Sequence, residues 1–268
     1  DVDPHTYNLD PDKVAKKITS KTKAIIPVHL CGQPADMDPI ITLAKKNRLV
    51  IIEDCCQAHG AKYKGKTVPV TGTGAFSFYP GKNLGAFGDA GAAVTNDAHI
   101  AHRLKLLRND GSIKKYHHLL IGSKSRLDTL QAAVLSTKLK YLSGWNKLRR
   151  RHAKTYTQLL GPILQITVPF VANYSYHNYH LYMIQTPRRD QLQHYLAKKG
   201  IATVIHYPMP IHLQPAYKHL GYKRGDFPVT EKLAKNILSL PMFPELKVAE
   251  IDAVVSAIKR FWGGGQAK

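Results

Sequence analysis

The chain has 268 residues, 44% of them hydrophobic, and its 39 lysines and arginines exceed 18 acidic residues to give a formal net charge of +21. This length allows one large or two modest domains, and no apolar run is long enough to span a bilayer, which excludes a membrane-spanning protein. The excess of positive charge favours anionic partners such as phosphates, nucleotide-linked sugars or nucleic acid.

The first part of the chain alternates predicted strands and helices. Asp10 caps a helix that has Pro11 in its first turn, and Asp38 with Pro39 starts a second helix. The β-branched run at 49–52 is typical of a buried parallel strand, and Asp97 caps a later helix. Strands are also expected at 23–30, 74–79 and 90–95. This alternation predicts an α/β domain with a parallel sheet.

The second part of the chain has a different pattern. Residues 107–125 are expected to be irregular, and residues 127–161 show helical spacing that predicts one long helix or a broken pair. Predicted strands (179–185, 201–205) and helices (189–199, 248–261) then mix in an α+β layout. We therefore divide the chain into a large domain (1–126), connecting helices (127–161), a small domain (162–262) and a flexible tail (263–268).

Cysteine usage bears on the cellular compartment. Cys31, Cys55 and Cys56 are odd in number and two are adjacent, which argues against a disulfide framework and indicates a reducing cytoplasm. No signal peptide is visible, and because the sequence does not begin with Met we expect that its true start lies upstream.

Two residues suggest cofactor chemistry. Asp54 follows the strand at 49–52, where ligands of open α/β sheets bind, and Lys82 lies in the turn Pro80-Gly81-Lys82-Asn83 after the next strand. A lysine in a glycine-rich turn downstream of a strand-end aspartate suggests a Schiff-base lysine with a pyridinium partner.

Four ordered motifs support a family resemblance. They are EDxxQAHGA, SFYPGKNLGAFGDAGAAVTND, GSxSRLDTLQAAVL and HYPMPIHLQPAY, which lie in this order between residues 53 and 217, and the similarity that they mark runs from residue 1 to about residue 262. The chain thereby resembles the DegT/DnrJ/EryC1/StrS family of sugar aminotransferases, which use pyridoxal 5'-phosphate (PLP). The resemblance implies an aspartate aminotransferase-type large domain (fold type I) with a mostly parallel sheet, followed by a small α+β domain. It also implies an N-terminal segment, with a Gly-Thr phosphate-binding turn, that this sequence lacks.

The resemblance implies roles for individual residues. Lys82 would bind PLP covalently and move the proton, Asp54 would pair with the pyridine nitrogen, Gln57 would lie near the ring, and Ser77 would contact the phosphate. Lys124 stands where the family pattern Gly-x-Asn-Ser-Arg has the phosphate-binding asparagine, which puts phosphate affinity in question.

Other residues would face the substrate. Arg126 matches the same pattern, in a loop that reaches the partner's active site in a homodimer. The loop containing His206, Tyr207 and His212 would line the sugar-nucleotide side. We assign no metal to His117 and His118, because no carboxylate or thiol accompanies them at ligand spacing.

The expected function is transfer of an amino group, with glutamate as the donor implied by the family, to the keto group of a nucleotide-linked sugar in the cytoplasm. A related dehydrase is disfavoured because such relatives carry histidine in place of Lys82. The remaining alternative is a truncated, catalytically impaired chain, or a module on the same fold that binds anions or nucleic acid. If the chain is a sugar aminotransferase, we expect neither a membrane nor nucleic acid as its partner.

Overall fold

The computed structural model describes residues 1–263. Within them the chain forms eight α-helices: α1 Pro11–Lys17, α2 Met37–Asn47, α3 Ala98–Leu107, α4 Thr129–Leu139, α5 Leu142–Leu160, α6 Arg189–Lys198, α7 Pro228–Asn236 and α8 Val248–Gly263. The same residues form twelve short strands: β1 Ala24–Ile25, β2 Val50–Ile51, β3 Glu53–Asp54, β4 Lys62–Tyr63, β5 Lys66–Thr67, β6 Thr73–Ser77, β7 Gly91–Thr95, β8 Ser112–Lys114, β9 His117–His118, β10 Ser175–Tyr176, β11 Tyr182–Gln185 and β12 Ile237–Leu240.

The predicted helix caps are confirmed. Asp10 accepts hydrogen bonds from the backbone N–H groups of Asp12 and Lys13, and Asp97 accepts from those of His99 and Ile100. Each carboxylate therefore satisfies donors that the first helical turn leaves without intrahelical partners.

The N-terminal sheet is largely parallel, as predicted. β1 pairs with β2 and β3 with β6, both in parallel, and a parallel bridge joins Val28 to Asp54. β7 runs antiparallel to β6 over five residue pairs. The carboxyl ends of β3 and β6 therefore lie side by side, which brings the residues after Asp54 close to those after Ser77.

A buried hydrogen-bonded pair fixes this part of the sheet. His29 Nε2 lies 2.9 Å from Glu53 Oε2, and both side chains are inaccessible to solvent. The Ala35 backbone N–H donates to His29 Nδ1, so Nε2 carries the ring proton and donates to Glu53. Burial would raise the pKa of Glu53, but hydrogen bonds from His29 and Thr71 outweigh it and hold that pKa below its ordinary value. The pair thus anchors the residue that precedes Asp54.

The C-terminal layer has its own apolar core. β11 and β12 form an antiparallel pair against which α5, α6 and α8 pack. Its fully buried side chains include Tyr156, Leu160, Tyr182, Leu192, Leu238 and Ile258. The helix predicted over 127–161 is a broken pair, because α4 ends at Leu139 and α5 begins at Leu142.

The structure corrects two predicted elements. Residues 201–205 contribute one antiparallel bridge, between Val204 and Ser239, and no strand forms there. Residues 107–125, expected to be irregular, contain the β8–β9 hairpin. Both errors have one cause: pairing between distant or very short segments leaves little trace in local periodicity.

The last helix, α8, reaches the end of the described residues. Gly263 belongs to α8, and the rest of the predicted tail, 264–268, lies outside the described residues. Among residues 1–263, no helix combines the length and apolar character needed to cross a bilayer.

Candidate active site

Lys82 lies in a compact loop between β6 and β7. Its backbone N–H donates to the Tyr79 carbonyl at 2.9 Å, and the N–H of Ala86 donates to the Phe78 carbonyl at 2.8 Å. A Cβ atom at Gly85 would lie 2.3 Å from the Pro80 carbonyl oxygen, so only glycine fits where the backbone folds back on itself. The loop leaves the Lys82 side chain half-buried on a fixed backbone.

Asp54 lies at the end of β3, and Cys56 places it near Lys82. The Cys56 backbone N–H donates to Asp54 Oδ1 at 3.0 Å. Burial raises the pKa of the Cys56 thiol to about 11, the Asp54 carboxylate raises it further, and the charge of Lys82 opposes the shift. The Cys56 thiol is therefore within electrostatic range of both Asp54 and Lys82.

Gln57 connects this strand end to the loop containing Tyr207. Its Oε1 accepts from the Cys31 backbone N–H at 2.6 Å, and its Nε2 donates to the Tyr207 hydroxyl at 3.3 Å. Ser77 Oγ accepts from the Tyr79 backbone N–H at 3.3 Å, so the serine hydroxyl proton is free to donate elsewhere.

The two predicted histidines differ in their surroundings. His206 Nδ1 lies 2.9 Å from Ser239 Oγ, and burial, reinforced by the charge of Lys82, lowers the pKa of His206. His212 Nε2 instead lies 3.1 Å from Glu231 Oε1 in a largely buried contact with α7. No hydrogen bond among residues 1–263 joins His212 to Lys82 or Asp54. His206 is therefore within electrostatic range of Lys82, whereas the side-chain partner of His212 is Glu231 on α7.

Lys124 and Arg126 lie on an exposed segment after the β8–β9 hairpin. Both side chains are exposed, and an antiparallel bridge between Asn109 and Lys124 fixes the backbone. Their placement leaves them available to a second molecule.

Comparison with known proteins shows the family of this chain. The profile of the DegT/DnrJ/EryC1/StrS aminotransferase family matches residues 1–259. The chain belongs to this aminotransferase family. It is 51% identical to a pleiotropic regulatory protein from Geobacillus stearothermophilus, covering 98% of this chain and 71% of that protein. It is 49% identical to the dTDP-3-amino-3,6-dideoxy-alpha-D-galactopyranose transaminase of Aneurinibacillus thermoaerophilus, and the match covers 97% of this chain and 71% of that protein.

A solved structure shows the same fold. DesV of S. venezuelae, determined in complex with a reaction intermediate, superposes with a TM-score of 0.95 at 44% identity, covering 97% of this chain and 70% of that one. The predicted aminotransferase class and PLP-dependent transferase fold are thereby confirmed, and PLP is the cofactor of this family.

The site residues of the present chain are chemically suited to hold PLP. When bound, PLP supplies an aldehyde that condenses with amines and a ring that takes up electrons from a broken C–H bond. Lys82 offers the amine, Asp54 a carboxylate with one oxygen committed to Cys56, and Ser77 a free hydroxyl donor. This set of amine, carboxylate and hydroxyl matches the aldehyde, ring nitrogen and phosphate of the cofactor.

His59 is a site residue that the sequence analysis did not single out. Its side chain is 3% exposed, and neither ring nitrogen has a hydrogen-bond partner among residues 1–263. The ring lies 5.4 Å from that of Phe76 and 5.7 Å from that of Phe78, between centroids. Burial lowers the pKa of His59 to about 4, and the charge of Lys82 adds to that shift. A histidine two residues after Gln57 was the signal available in the sequence.

Because His59 is buried, we expect the folded protein to lose stability in acid. Its folded-state pKa of about 4 lies below the ordinary 6.5, so the unfolded chain binds the proton more tightly. The associated stability is present above pH 6.5 and is lost as the pH falls toward 4. In urea unfolding of the wild type, protonation of His59 should lower the free energy of unfolding by about 2 kcal/mol between pH 7 and pH 5.

The matched variants are His59→Asn and, as a control at an exposed helical site, His99→Asn. In His59→Asn the decrease in the free energy of unfolding between pH 7 and pH 5 should be smaller than in the wild type by about the same 2 kcal/mol. In His99→Asn this decrease should equal that of the wild type. An unaltered slope in His59→Asn would show that the His59 proton does not contribute.

Proposed function

We propose that this chain catalyses PLP-dependent transfer of an amino group from glutamate to the keto group of a nucleotide-linked sugar. The observation that supports this most directly is that Asp54 and Lys82 both lie within electrostatic range of the Cys56 thiol, with Asp54 held by the Cys56 backbone N–H. Lys82 would hold the cofactor and move the proton, while Asp54 would keep the ring nitrogen protonated.

The substrate class is inferred from relatives. The Aneurinibacillus relative is named for a 3-amino sugar linked to dTDP, and its sequence covers nearly all of this chain. We therefore propose amination at C3. The excess of basic residues favours anionic substrates of this kind. The free thiols Cys31, Cys55 and Cys56 support a cytoplasmic location.

A panel of dTDP- and UDP-linked 3-keto and 4-keto sugars tests the proposal. The purified protein, PLP and glutamate should release 2-oxoglutarate with at least one 3-keto sugar, measured by a coupled dehydrogenase. Release with 4-keto sugars alone would correct the position of amination, and no release with any member would refute the proposed substrate class.

One alternative function has specific support. The Geobacillus relative is named a regulatory protein, and the net charge of +21 suits binding to a polyanion. Under this alternative the panel would give no turnover, and the protein would bind duplex DNA with an affinity that falls steeply with salt.

We also propose that two copies assemble through the arm, defined as residues 112–127. The arm exposes Ile113, Tyr116, Leu119 and Ile121, the last of them 96% exposed. Exposed apolar side chains clustered on one hairpin and loop are typical of an interaction surface. Docking of the arm on a second copy would carry Lys124 and Arg126 to the partner, where they would meet the phosphate and the substrate.

Disrupting the arm should separate the copies. Sedimentation equilibrium should show a dimer for the wild type, and Ile121→Lys should weaken association by about tenfold to a hundredfold, the equivalent of one large apolar side chain. Lys114→Ala, which alters the same arm without adding charge, serves as the control. A wild type that stays monomeric at micromolar concentration would contradict the assembly.

A further inference from the structure

One face of α4 holds the second half of the lysine loop, which is the loop between β6 and β7 that carries Lys82. We call residues 84–88 the return limb of this loop. Gln131 Oε1 accepts a hydrogen bond from the Phe87 backbone N–H at 2.7 Å. The Lys138 ammonium donates to the Gly85 carbonyl oxygen. Positions 131 and 138 are seven residues apart, so both side chains project from the same face of the helix.

An apolar contact lies between these two hydrogen bonds. Leu135, on the same helix face, forms a buried cluster with Leu84 and Ala86 of the return limb. Among the eleven residues of α4, all within the described part of the chain, Leu135 alone is buried, and Leu130 is 80% exposed. The buried face of α4 is therefore directed at the lysine loop.

The ring of Phe87 holds the Lys138 side chain in place. Lys138 Nζ lies 5.7 Å from the centroid of this ring, at a distance where an ammonium is attracted to the face of an aromatic ring. The ammonium therefore contacts residue 87 while it donates to residue 85, and the lysine stem is partly buried between them and the helix.

The return limb packs on the outgoing limb, residues 78–82, which ends at the lysine. The Ala86 backbone N–H donates to the Phe78 carbonyl at 2.8 Å. A Cβ atom at Gly85 would lie 2.3 Å from the Pro80 carbonyl oxygen, so the two limbs are in direct backbone contact. A displacement of the return limb would therefore disturb the backbone that carries the lysine.

We propose that Gln131 and Lys138 are positioning residues for Lys82, which act through the return limb of its loop. They restrict the conformations of the loop, so that the lysine amine meets the carbonyl carbon that it attacks in one orientation. The assignment rests on the proposed function for the role of Lys82, but one part of its test requires neither cofactor nor substrate.

Amide hydrogen exchange in the cofactor-free protein tests whether α4 supports the loop. Lys138→Met removes the ammonium and keeps an unbranched side chain, whereas Lys138→Arg restores a donor. The Ala86 N–H, whose acceptor lies on the outgoing limb, should exchange about three- to tenfold faster in Lys138→Met, as expected for the loss of one supporting hydrogen bond. In Lys138→Arg its exchange rate should return toward that of the wild type.

The rate of PLP attachment tests the effect on Lys82 itself. Borohydride added at successive times after mixing with PLP, followed by mass spectrometry of the Lys82 peptide, measures this rate. It should fall about three- to tenfold in Lys138→Met and in Gln131→Leu. Gln131→Glu keeps an oxygen that accepts from the Phe87 N–H and should restore the rate. The peptide of Lys46, an exposed lysine, measures attachment that does not depend on the loop.

The matched control is Lys140→Met, at the exposed C-terminal cap of the same helix. It should change neither exchange at Ala86 nor attachment at Lys82. If Gln131→Leu fails to fold, the comparison of Lys138→Met with Lys138→Arg decides. Wild-type exchange or wild-type attachment in Lys138→Met would overturn the assignment, and so would an equal change in Lys140→Met.

Failure of the proposed function would give a different result. The wild type would then show no attachment of PLP to Lys82, while the difference in Ala86 exchange between Lys138→Met and the wild type would persist.

Discussion

Replacing Lys82 with alanine should abolish covalent attachment of PLP. The side chain is half-buried and its loop is fixed by the backbone bonds to Tyr79 and Phe78, so the fold should survive. Borohydride reduction followed by mass spectrometry should find no cofactor on the variant. Aminotransfer should fall by at least the 10²–10⁴-fold typical of losing a positioned proton-transfer group.

Lys46→Ala provides the control for this experiment, because Lys46 is an exposed lysine on α2. It should keep both cofactor attachment and turnover, with a melting temperature equal to that of Lys82→Ala. Reducible cofactor on Lys82→Ala would assign the attachment to another lysine and remove Lys82 from the site.

Asp54→Asn should separate cofactor attachment from turnover. The substitution preserves shape and an oxygen that can accept from the Cys56 N–H, so Lys82 should still be modified by PLP. It removes the negative charge that would hold a proton on the ring nitrogen. We expect turnover to fall on the order of 10²-fold, comparable with the loss of one preorganised electrostatic group.

The matched control is Asp38→Asn, at a solvent-exposed aspartate that pairs with Lys64 on the surface. Surface ion pairs contribute little, so both stability and turnover should stay near wild-type values. Turnover of Asp54→Asn equal to that of Asp38→Asn would show that Asp54 does not face the cofactor ring.

The sequence was most informative where local pattern and function coincide. The β-branched run before Glu53 and Asp54 predicted a parallel strand, and the structure pairs these residues with Gly74 and Ala75 of β6. Because parallel strands align their carboxyl ends, the residues after Asp54 and those after Ser77 are expected at the same edge of the sheet. The type of fold and the roles assigned to Asp54 and Lys82 came instead from the resemblance of the four motifs to a known family.

The rest of the site depends on contacts between segments far apart in sequence. Asn83 meets Asn146 across 63 positions and Asn178 across 95, and no periodicity marks a buried asparagine. His212 is a further example, since its motif gave no indication that its imidazole would contact Glu231 on α7. Side-chain amides and imidazoles find partners only after packing is complete, so the sequence could not predict which would meet.

The position of α5 has a mechanical consequence. This helix of 19 residues is about 28 Å long, with Asn146 near one end against the lysine loop and Leu160 at the other end inside the C-terminal core. Asn146 accepts from Asn83 and donates to the His59 carbonyl, so a rotation of that core relative to the sheet would displace α5 and disturb these hydrogen bonds beside Lys82. The C-terminal core and the backbone next to Lys82 are therefore mechanically coupled through one helix.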